Sequence, residues 1–70
     1  MSDNKVFKLI ELTGTSSTSI EEAVQSALSK ASETIRQMRW FEVVEIRGAI
    51  DQAKVAQWQV TLKIGFAVED

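Results

Sequence analysis

The sequence predicts an α+β chain: a single β-α-β-β module in which a three-stranded antiparallel sheet wraps one helix. Three observations carry this. Val55 to Val68 alternates with period two, the mark of a strand. Ile20 to Gln37 repeats apolar residues at spacings of three and four, the mark of a one-faced helix. Lys5 to Thr13 and Trp40 to Ile50 are rich in β-branched and other apolar residues, as strands are.

The first strand is expected to stop at Gly14. The small polar run TGTSSTS then reads as a turn into the helix. Ser19 with Glu22 fits a capping box: the hydroxyl accepts from a free first-turn N–H, and the Glu22 carboxylate reaches back to the Ser19 amide. Glu21 and Glu22 favour the positive end of the helix dipole, and Arg36 and Arg39 lie near its negative end. Ile20, Val24, Ala27, Leu28, Ala31, Ile35 and Met38 form the buried stripe. Its alanine-rich middle allows close approach to a sheet.

The second strand, Trp40 to Ile50, carries apolar residues on both faces. Strict alternation puts Trp40, Val44, Ile46 and Ile50 on one side and Phe41, Val43 and Ala49 on the other. After a turn at Asp51 to Lys54, the third strand places Trp58, Val60, Leu62, Ile64 and Phe66 on one face. Gln57, Gln59, Thr61, Lys63 and Gly65 fall on the opposite face. Strands two and three form a hairpin, and the first joins through the helical crossover. A bare sheet face should be polar, so apolar residues there predict contact with neighbouring subunits.

Size points the same way. With 70 residues, the chain is one domain, 1–70, at the lower limit for a self-sufficient core. It has no cysteine and no histidine, so disulfides and Cys/His metal sites are excluded. Oligomerisation is the remaining support. A net charge of −2 without a basic cluster argues against nucleic-acid binding. The N-terminus lacks signal-peptide character and no apolar run approaches ~18 residues, so no membrane span is expected and the protein reads as cytoplasmic.

Catalytic chemistry has little to work with. Ser16, Ser17 and Ser19 have no histidine base. Strict alternation sets Glu42 and Glu45 on opposite faces, too far apart to share a proton. The TGTSSTS run lacks the lysine of a phosphate-cradling loop. Trp58 reads as core. Trp40, at the helix-to-strand junction, offers a stacking face. A strand glutamine such as Gln57 or Gln59 offers a donor and an acceptor for a heteroaromatic edge.

The segments ELTGTS (11–16), RWFEVVEIRG (39–48) and QVTLKIGF (59–66) together resemble the dodecin family over nearly the whole chain. The resemblance implies a homo-oligomeric shell of twelve copies binding flavin in pairs where subunits meet. It implies that Trp40 stacks on the isoalloxazine ring and that Gln59 hydrogen-bonds the ring edge. It places Arg47 and Glu45 near the ribityl or phosphate part. Many bacterial members have an arginine after the Gly-Phe pair, whereas this chain has Ala67. FMN is the expected flavin, with riboflavin and lumichrome as rivals and coenzyme A as a further candidate ligand. The expected role is storage of flavin and quenching of its photochemistry, without catalysis. The alternative is a structural oligomer that holds no flavin; a flavin-using reductase is a rival that the lack of His, Cys and Tyr disfavours.

Overall fold

In the computed structural model, which describes residues 4–68, the order is β1 (Phe7–Ser16), α1 (Ile20–Ala31), β2 (Met38–Asp51) and β3 (Lys54–Ala67). All pairings are antiparallel and the strand order is β1-β3-β2. The expected module is present. The alternating strand, β3, is central, and its alternation explains why: Val60, Leu62 and Ile64 are fully buried beneath the helix. Ile10 and Leu12 of β1 pack beside them.

β1 does not stop at Gly14 but continues to Ser16. Gly14 serves helix docking instead. A Cβ there would lie 2.0 Å from the Ala23 carbonyl oxygen and 2.9 Å from the Ala27 Cβ. The buried helix stripe is Ala23, Ala27 and Ala31, at spacing four, flanked by half-buried Ile20, Val24 and Leu28. Small residues on both sides let the backbones meet.

The turn before α1 is built from hydroxyls. Ser16 Oγ accepts from the amides of Thr18 (2.9 Å) and Ser19 (3.3 Å). Ser19 Oγ caps the helix by accepting from the Glu22 amide at 3.1 Å. Half of the expected capping box forms; Ser16 Oγ takes the Ser19 amide assigned to the Glu22 carboxylate.

The helix is shorter than its periodicity suggests, ending at Ala31 rather than Gln37. Ser32, Thr34 and Ile35 are weaker helix formers. Ser32 Oγ donates to the Ser29 carbonyl at 2.7 Å, and Gln37 turns the chain with φ 65. Lys30, not Arg36 or Arg39, therefore occupies the last helical turn.

The hairpin is much longer than the helix that covers the sheet. Fourteen residues of β2 extend roughly 46 Å at 3.3 Å each, whereas twelve helical residues rise about 18 Å. The radius of gyration is 14.7 Å, against about 11 Å for a compact chain of this length. β2 is exposed along nearly its whole length: Trp40, Phe41, Val43, Val44, Ile46 and Ile50 all stand open in the single chain. Gln52 and Ala53 close the hairpin as a two-residue loop, both with positive φ (53 and 63), the backbone expected of a type I′ turn.

Candidate binding site on the outer face of the sheet

β2 carries two β-bulges that strict alternation cannot foresee. Its register shifts between Met38 and Trp40 and between Val43 and Glu45, and a third shift, between Ala49 and Ile50, has its extra residue on β3. Directly opposed residues share a face, so the pairing assigns each side chain. Phe41, Val43 and Ile46 oppose Ile64, Leu62 and Val60 on the helix side. Trp40, Glu42, Glu45, Arg47 and Ala49 oppose Gly65, Lys63, Thr61, Gln59 and Gln57 on the outer side. Three expectations from simple alternation are thereby corrected, the first being that Ala49 shares a face with Phe41 and Val43, which it does not. Trp40 and Ile46 lie on opposite faces, and Glu42 and Glu45 share one, because Val44 is the extra residue between them.

The outer face holds two clusters. In the first, Arg47 Nε donates to Gln59 Oε1 at 2.8 Å. Arg47 Nη1 meets Glu45 Oε1 at 2.9 Å, an exposed ion pair. Gln59 Nε2 donates to Gln57 Oε1 at 2.9 Å. The Gln59 amide is thus oriented, its oxygen toward Arg47 and its nitrogen toward Gln57. Each end still has capacity, since an amide oxygen has a second lone pair and the nitrogen a second hydrogen. Beneath this cluster Thr61, 8% exposed, shares a 2.8 Å hydroxyl–hydroxyl hydrogen bond with Thr13 of β1.

The second cluster surrounds Trp40, which is 44% exposed. Its indole lies across Gly65: a Cβ there would fall 2.3 Å from both Cε2 and Cζ2. The Phe7 ring of β1 meets the indole edge-to-face, with centroids 5.0 Å apart and planes at 62°. Sequence reasoning did not single out Phe7 or Gly65. The signal for Gly65 was available, since a glycine inside a regular strand marks a close approach. Phe7 had no such signal; only strand pairing brings it there.

The chain brings Gln59, Arg47 and Glu45 together but not Trp40. Six residues of β3 separate the positions opposite Trp40 and Arg47, roughly 20 Å along the strand. A cleft of about 440 Å³ lies elsewhere, lined by Lys8, Arg36, Gln37 and Phe66 among others. Among the described residues, no group of three or more His, Cys, Asp or Glu side chains is placed to hold a metal ion, and no helix is long and apolar enough to cross a membrane.

Comparison with known proteins joins this geometry to a family. The dodecin family profile matches residues 6–69. The dodecin of Thermus thermophilus is 50% identical over 66 residues, 94% of this chain and 96% of that protein. The calcium dodecin of Mycobacterium tuberculosis is 33% identical over 61 residues, 87% and 86% of the two chains. Among solved structures, the Streptomyces coelicolor dodecin superposes with a TM-score of 0.93 at 42% identity, covering 99% of each chain. An arginine-to-alanine variant of the Thermus thermophilus protein gives 0.92 at 51% identity, covering 96% of this chain and 98% of that one. The Mycobacterium tuberculosis calcium dodecin gives 0.80 at 31%, covering 91% of each. With its β-α-β-β order, its outward Trp40 and matches that span almost its whole length, the chain belongs to the dodecin family.

Proposed function

We propose that this protein is a cytoplasmic homo-oligomer, a dodecamer, that binds flavin between subunits, stores it and suppresses its photochemistry without acting as an enzyme. The observation that carries this reading is the setting of Trp40. Its indole rests over Gly65 on an open sheet face, leaving an aromatic surface to solvent. The exposed hairpin of the single chain supports assembly. Burying each exposed aliphatic side chain of β2 stabilises a complex by up to about 1.5–3 kcal/mol, and several are available.

The residues suit a flavin. Gly65 covers one indole face, so each Trp40 has one face to offer one ring. Two copies facing across a symmetry axis enclose two stacked rings, each closed to substrates. Gln59 stands roughly 20 Å from Trp40 along its own strand, further than a ring stacked on that indole reaches. The ring edge is therefore met by Gln59 of another subunit, and the site is incomplete in one chain. Arg47 and Glu45 flank Gln59 and contact the ribityl or phosphate end. Flavin brings its own redox and light-driven chemistry; the protein's part is to bind, orient and exclude.

Ala67 bears on which flavin binds. It lies on the outer face, opposite Phe7 and two residues beyond Gly65, so a cation at 67 would stand beside the ring platform. Without it, the phosphate relies on Arg47. FMN remains the expected ligand, with coenzyme A a further candidate. Titrating protein into dilute FMN, riboflavin and lumichrome while following flavin emission tests the reading. Strong quenching by the wild type, lost in Trp40→Ala, supports it, with FMN bound at least as tightly as riboflavin. Clearly tighter riboflavin binding removes FMN as the ligand. No quenching of any flavin leaves a structural oligomer.

A further inference from the structure

We infer that Gly65 and Phe7 are positioning residues that hold the Trp40 indole in a stacking-ready orientation before any ligand arrives; this rests on the reading of Trp40 as the ring platform. An exposed tryptophan on an edge strand can sample several rotamers, and a ligand stacking on it must first order it. Prior ordering raises affinity without adding a contact.

Two contacts supply that order. A Cβ at Gly65 would lie 2.3 Å from Cε2, 2.3 Å from Cζ2 and 2.7 Å from Cη2. These are consecutive atoms of the six-membered ring, so the ring occupies the space that any side chain at 65 would fill. Glycine weakens a strand interior; here its missing side chain lets the indole from β2 cross the central strand. On the far side it meets Phe7 of β1, edge-to-face at 5.0 Å and 62°. One aromatic pair thus bridges all three strands, over the single position where β3 has no side chain. With both contacts made, Trp40 is still 44% exposed, so part of the indole remains open to a ligand.

The test uses the assembled protein in a Trp58→Phe background, which leaves Trp40 as the sole indole. Gly65→Ala, Phe7→Leu and Phe7→Tyr are compared with that parent. Two readouts are taken: the near-UV circular dichroism of Trp40 without ligand, and the affinity for riboflavin by flavin quenching. Gly65→Ala is expected to flatten the Trp40 band and weaken riboflavin binding by roughly tenfold or more, because the ring must leave its seat. Phe7→Leu is expected to weaken binding by roughly two- to tenfold, and Phe7→Tyr to restore both readouts. An unchanged band and affinity in Gly65→Ala overturns the inference. If Gly65→Ala does not fold, Phe7→Leu against Phe7→Tyr decides by the same readouts. If the parent quenches no riboflavin, the flavin reading falls, and the ligand-free Trp40 band alone judges the positioning.

Discussion

Replacing Gly14 by alanine tests how closely the helix must approach the sheet. The added Cβ would lie 2.0 Å from the Ala23 carbonyl oxygen, and real Cβ atoms essentially never come under 3.0 Å to such a neighbour. The obstacle is helix backbone, not a flexible side-chain end, so α1 must retreat by roughly 1 Å. A gap of that size forfeits a quarter to a half of each dispersion contact it opens. The contacts at risk join Ala23, Ala27 and Ala31 to Val60, Leu62 and Ile64, the whole buried apolar core among the described residues. Overpacking of this kind costs about 1–3 kcal/mol. The backbone obstacle favours the upper end, and removing a strand glycine returns about 0.5–1 kcal/mol. The net expectation is a loss of about 2 kcal/mol. Gly48→Ala is the control: it also removes a strand glycine, but its Cβ meets nothing nearer than the Gln57 carbonyl at 3.2 Å, so the change should be close to neutral. Urea unfolding followed by far-UV circular dichroism, at one fixed protomer concentration because assembly is linked to folding, measures both. If the two variants agree within about 0.5 kcal/mol, close helix docking is not what selects Gly14.

Three further outcomes are expected. Ser19→Ala removes the hydroxyl that caps the Glu22 amide and should cost about 1 kcal/mol in the same unfolding assay; no loss would show that Ser16 can hold the turn alone. Ala53→Gly relieves a φ of 63 at the hairpin tip and should stabilise by about 1 kcal/mol, whereas a destabilised variant would contradict the turn geometry. Ile46→Lys places a charge on the exposed helix-side face of β2, where a monomer would tolerate it. Sedimentation should then show the assembly lost or shrunken, and an unchanged particle would exclude that face from the interface.

The fold was largely legible before the structure. The alternation of β3 located the central strand, and the Ser19–Glu22 spacing located the helix start. The helix end was not legible: apolar spacing persists through Ile35 and Met38, which pack against the core after the helix has ended. The residues of the candidate site divide in the same way. Trp40 and Gln59 stood out in the sequence as an indole and a carboxamide, but their roughly 20 Å separation along the sheet was not legible. Phe7 enters the site only because β1 pairs beside β3 and brings it opposite Ala67.

The sequence by itself determined what depends on local order: strand and helix periods, the cap, the absence of Cys and His, and a chain too small to bury its own apolar surface. Only the tertiary structure decided the faces of β2, the helix–strand approach at Gly14 and the seat of Trp40 over Gly65. Alternation counts residues, whereas a bulge adds one residue to a strand without adding a partner, so all positions beyond it change sides. That inserted residue, Val44, is why Glu42 and Glu45 lie together on the face that carries Trp40.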